Sequence, residues 1–131
     1  MGTVELKMPG RGYHNVAVVS GNVKTVYVGG QNAVDEHGNV VGKGDFVKQV
    51  EQIYKNLEKA LAAGGATFEH VIKWNIYVVP GQDFEAAFRV AQRFLGDNPR
   101  YPLITVALVA GFANPDWLAE MEAIAVVPQP D

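Results

Sequence analysis

The chain has 131 residues with 48% hydrophobic and 19% charged side chains, enough for one domain with its own core and unlike a disordered or membrane-embedded chain. It contains no cysteine, which excludes disulfides, a thiol nucleophile and a Cys-based zinc site. The net charge is −3 and the Lys and Arg residues are scattered, so no basic stripe exists to displace counterions from phosphates and nucleic acid is not expected as a direct partner.

Residues 1–5 lack the basic start and apolar run of a signal peptide, and no stretch approaches the ~20 apolar residues of a membrane span. The expected address is the cytoplasm, with no membrane partner. The whole of 1–131 is expected to form a single domain.

The first strong pattern is residues 16–19 followed, after Ser20-Gly21-Asn22, by residues 23–28; two β-rich runs around a Gly-Asn turn predict a hairpin. Gly29-Gly30-Gln31 at the end of the second run predicts a bulge, or backbone brought close to another group. Asp45 is a good N-cap for a helix on which Phe46, Val50, Ile53, Leu57 and Leu61 recur at helical spacing, with Gly64-Gly65 as a left-handed stop. Residues 71–79 form a strand ended by Pro80, and Asp83 caps a second helix expected to carry Phe84, Phe88, Ala91 and Leu95 inward before Gly96. A loop over 97–102 leads to two further strands, 103–110 and 118–127.

The order predicts an α+β fold with two long helices covering one face of a sheet. The run from Leu103 to Ala110 is apolar on both faces except for Thr105, and residues 123–127 carry no polar side chain at all. A sheet face left to water alternates apolar and polar residues. The second face is therefore expected to be covered by further copies of the chain, with ligand pockets at the seams.

Among residues able to do chemistry, the serine-triad reading fails because Ser20 is the one serine and lies in a turn. His14, His37 and His70 are far apart, and their spacing does not argue for a metal site. Glu120 and Glu122 are two apart on a strand and share a side, where like charges oppose joint ionisation, a way to tune a carboxyl for proton transfer. Surface or salt-bridged glutamates are the bland alternative. Tyr13 and Trp117 each read either as pocket residues or as packing.

Gly12-Tyr13, the Ser20-Gly21-Asn22 turn, Val28-Gly29-Gly30-Gln31, Ala62-Ala63-Gly64-Gly65-Ala66, Val71-Ile72-Lys73 and Glu120-Met121-Glu122-Ala123-Ile124-Ala125-Val126 together resemble the Rid family, also called YjgF. The resemblance implies a chorismate-mutase-like fold assembled as a homotrimer through its sheets, with small-molecule clefts between subunits. It implies hydrolysis of imines and enamines such as 2-aminoacrylate to a 2-keto acid and ammonia, without metal or cofactor. By this resemblance Glu120 is the catalytic acid, while Tyr13, Gly30 and Thr105 bind substrate. Leu103 stands where the family's carboxylate-binding arginine is expected, with Arg100 nearby. A leucine cannot replace a bidentate guanidinium, so the substrate choice is expected to differ. Two other readings are a non-catalytic ligand-binding or regulatory trimer, and a protein- or RNA-directed role of the kind described for some relatives.

Overall fold

A computed structural model describes residues 1–96 and 100–131; Asp97, Asn98 and Pro99 of the expected loop lie outside the described residues. The elements are β1 (Thr3–Pro9), β2 (His14–Ser20), β3 (Val23–Gln31), α1 (Phe46–Ala63), a 3-10 turn (Phe68–His70), β4 (Val71–Val78), α2 (Phe84–Leu95), β5 (Leu103–Leu108) and β6 (Ala119–Pro128). Among the described residues, no helix is long and apolar enough to cross a membrane.

Both helices start and stop where local chemistry requires. The Asp45 carboxylate accepts from the Lys48 amide at 3.1 Å, and the Asp83 carboxylate from the Ala86 amide at 3.1 Å. Gly65 and Gly96 take positive φ, 77° and 65°, just beyond the two helices. On α1 the buried stripe is Gln49, Val50, Ile53, Tyr54, Leu57 and Leu61. Ile53, Leu57 and Leu61 are 0% exposed, and each such burial contributes about 1.5–3 kcal/mol. The strand beneath offers Ala119, Met121, Ala123 and Ala125, all buried, and its small side chains let the helix sit close.

The main sheet has the order β3-β6-β4-β5, with β6 antiparallel to both neighbours and β5 parallel to β4. It is the α+β arrangement of two helices on a mixed sheet. The hairpin expected around Gly21 does not form. β2 pairs instead with β1, a strand not anticipated, and β3 pairs with β6. The cause is the Asn22 carbonyl, which accepts from the Gly2 amide at 3.1 Å and the Gln129 amide at 2.9 Å. Those bonds make 20–22 a corner between a two-stranded ribbon and the sheet.

The distribution of apolar surface also departs from expectation. Away from the helices the sheet carries Lys73, Asn75, Tyr77, Thr105, Glu120 and Glu122 alongside Leu103 and Ile124. That face is half polar rather than uniformly apolar. On the helix side Ile104, Val106 and Leu108 of β5 are uncovered, with Phe84 and Phe88 of α2 at 48% and 62% exposure, while Tyr27 of β3, level with Ile124, is 76% exposed on the open face. The two phenylalanines were expected inward. Helix α2 instead buries its Ala86–Val90 flank near α1, where Arg93 and Glu51 form an ion pair at 2.5 Å, and this turns the Phe84–Phe88 flank outward.

Candidate functional site

Glu120 enters the open face from the start of β6, opposite Tyr77 of β4. Its carboxylate accepts from the Asn32 side-chain amide at 3.1 Å. Asn32 is itself anchored from the helix layer: Asn56 donates to the carbonyls of Asn32 and Val34, both at 2.9 Å, and accepts from Gln52 at 2.8 Å. The start of β6 has a second tether. Fully buried Gln49 donates to the Gly42 and Asp116 carbonyls and accepts from the Leu118 amide at 2.9 Å. Trp117 sits half-buried between the two residues that Gln49 grips, as packing at the loop rather than in the open.

Gly30 backs directly onto this carboxylate. The pairing of β3 with β6 slips between Val28 and Gln31, the irregularity expected at the paired glycines. A Cβ on Gly30 would stand 2.7 Å from the Glu120 carboxyl carbon, and Gly30 is not at positive φ. Gly30→Ala is therefore expected to change stability by less than about 1 kcal/mol while pushing the carboxylate off Asn32. A crystal structure of the variant with the Asn32–Glu120 hydrogen bond intact would contradict this.

Glu122, the second acid, is engaged differently. Asn75 donates to it at 3.0 Å and the Tyr77 hydroxyl at 3.0 Å. That hydrogen bond, with smaller contributions from desolvation and the two carboxylates, pushes the Tyr77 phenol above its usual range. Neither glutamate forms an ion pair among the described residues, so the salt-bridged reading does not hold. Glu120 has one polar partner side chain and Glu122 two, which leaves Glu120 the freer to meet a ligand.

The other candidates lie elsewhere on the sheet. Leu103 faces Lys73 across β4 and β5, and Thr105 faces Asn75 and accepts from the Lys73 ammonium at 3.0 Å. Tyr13 is 40% exposed at the turn of the ribbon, its ring folded under Gly10. His14 fastens that turn to the entry of β5: its amide donates to the Pro102 carbonyl at 3.2 Å, and its ring Nδ1 lies 2.7 Å from the Tyr101 carbonyl. Tyr13 and Leu103 are thus drawn to one end of the sheet, and Gly30 and Glu120 stand at the other. Register puts Leu103 two strands and four residues from Glu120, about 16 Å away by strand spacing and rise. One chain does not bring these candidates together in a single pocket.

Sequence reasoning missed Asn32, Gln49 and His14 as positioning residues, and Lys73 as a positive charge beside Leu103 and Thr105. Gln49 had a readable signal, a polar side chain on the apolar stripe of α1. The other three depend on contacts distant in sequence.

The family model described as Endoribonuclease L-PSP matches residues 7–127. The chain belongs to this family, that of the Rid/YjgF proteins. A RutC family protein of Pyrococcus abyssi is 29% identical over 114 residues, covering 87% of this chain and 86% of the relative. YyfB of Yersinia pestis, a Rid family protein of unknown function, is similar in fold with a TM-score of 0.73, 24% identity and coverage of 95% and 97%. TdcF of E. coli, solved with bound serine, aligns with a TM-score of 0.70, 25% identity and coverage of 80% and 81%.

Proposed function

We propose that the chain, as one Rid domain over residues 1–131, is a cytoplasmic hydrolytic deaminase of small imines and enamines, working as a homotrimer with its clefts between neighbouring copies. The observation that carries this reading is the Glu120 carboxylate, aimed by Asn32 and Gly30 onto the open face of a Rid-family sheet. The separation of the candidate residues supports a shared cleft of two half-sites, in which Gly30 and Glu120 of one copy face Tyr13, Leu103 and Thr105 of the next. TdcF with its serine is a relative that holds a small amino acid. The scattered basic residues and net charge of −3 favour a small molecule over RNA.

In the proposed reaction, Glu120 takes a proton from water as the oxygen adds to the C=N carbon, and passes it to nitrogen. The resulting carbinolamine collapses: the C–N bond breaks, the hydroxyl proton moves to the departing nitrogen, and a carbonyl compound and ammonia are released. No metal, cofactor or redox partner is required by this balance.

The run from Tyr101 to Thr105 contains no cation, so the bidentate grip of an arginine is absent there. Charge-assisted hydrogen bonds contribute about 1.5–3 kcal/mol each, so carboxylate affinity falls and less polar substrates gain relative to 2-aminoacrylate. Lys73 supplies a point charge in its place. The same feature favours the second reading, a ligand-binding trimer without turnover. A panel of imines generated in situ by amino-acid oxidases separates the two. The enzyme reading expects faster imine decay with stoichiometric ammonia, greatest for apolar side chains; decay no faster than the protein-free control across the panel would overturn it.

A further inference from the structure

On the helix side of the sheet, away from Glu120, a cavity of about 930 Å³ lies between α1, α2 and strands β4 and β5. Its volume falls at the upper end of the range for small-molecule sites, about 300–1,000 Å³. Its floor is formed by Tyr54, Trp74 and Met121, and its mouth by Phe88, Ile104 and Val106. Most of that lining is apolar, with Glu69 and Arg100 the charged residues around it, so a largely apolar guest suits the space.

One polar atom in the interior has no counterpart. Tyr54 is 5% exposed, and its hydroxyl makes no hydrogen bond to any described residue. Nor is the ring free to swing the hydroxyl outward. It stacks on Phe94 with centroids 5.4 Å apart and 16° between planes, and meets Trp74 and Phe68 edge-on at 6.2 and 6.1 Å. Desolvation by burial pushes this phenol far above its usual range, so the group is a neutral donor and acceptor. The hydroxyl is not among the sealed polar atoms and Tyr54 lines the cavity, so a largely apolar guest with one matching polar atom can bond it there.

We propose that the space under α2 is a second ligand site, taking an uncharged, aromatic or branched apolar molecule whose single hydroxyl or carbonyl bonds the Tyr54 hydroxyl. The site is independent of Glu120 and of imine turnover, so its failure and the failure of the deaminase reading are told apart by separate measurements.

Calorimetric titration with 4-ethylphenol and ethylbenzene, probes differing by one hydroxyl, tests the assignment. Ethylphenol is expected to bind the native chain more tightly than ethylbenzene. Tyr54→Phe should weaken ethylphenol about 3- to 10-fold and leave ethylbenzene unchanged. Ala91→Phe, which fills the cavity from α2, should abolish both, and Glu120→Gln should alter neither. Equal affinities for the two probes, no binding of either to folded native protein, or ethylphenol binding that ignores both Tyr54→Phe and Ala91→Phe would each overturn the proposal.

Discussion

Glu120→Gln is expected to lower imine hydrolysis by about 10²–10⁴-fold, the span of a positioned proton-transfer group, while the protein stays folded. The substitution keeps the size and outline of the side chain. Its amide oxygen can still accept from Asn32, so the geometry around Gly30 is retained and only the capacity to take and return a proton is lost. Ammonia release from the best imine of the panel, measured alongside thermal unfolding, checks both halves of the prediction. A variant with the native Tm and more than a tenth of native turnover would remove Glu120 from the proposed chemistry.

Gln49→Leu is expected to be among the most damaging single changes to stability. The side chain is fully buried and ties α1 to the loop entering β6. Leucine would leave the Leu118 amide and the Asp116 carbonyl without this partner, at about 1–3 kcal/mol each. The Gly42 carbonyl keeps the Asp45 amide and loses less. A total of about 2–5 kcal/mol corresponds to a Tm lower by about 10–20 °C in a domain of this size. Urea and thermal denaturation read this directly, and a Tm within about 3 °C of native would show that Gln49 is not the tether described. Because Glu120 lies two residues beyond Leu118, turnover at temperatures well below the new Tm should fall as well.

The parts of the fold that were legible in the sequence are those decided locally. Asp45 and Gly65 bound α1, and Asp83 and Gly96 bound α2, through contacts within a few residues of each end. The slip at Gly29-Gly30 and the common side of Glu120 and Glu122 follow from strand geometry alone. What failed was decided at long range. The run around Gly21 has the composition of a hairpin, yet Gln129, more than a hundred positions away in sequence, shares the Asn22 carbonyl with Gly2. The half-buried Val4 and Leu6 alternate with exposed Glu5 and Lys7, a short period-2 signal for β1. On α2, helical periodicity marks a wide apolar arc but does not say which flank meets α1; Ala86 and Val90 do, and Phe84 and Phe88 are left facing out.

The candidate site shows the same division. Glu120 and Gly30 could be named from a strand pattern and a family resemblance, and the structure places them against each other. That Tyr13 and Leu103 lie at the opposite end of the sheet, with Thr105 midway, could not be read from spacing, because it depends on β5 running parallel to β4 while β6 runs against it.

The most direct test of the shared cleft is a mixing experiment. Glu120→Gln damages one half-site and Leu103→Glu the other, and each variant alone should be nearly inactive. Co-expressed in equal amounts under separate tags and purified through both, they should regain about one third of native imine turnover, since every mixed trimer has one of its three seams with both halves intact. Hetero-assemblies no more active than either parent would contradict a cleft built from two copies.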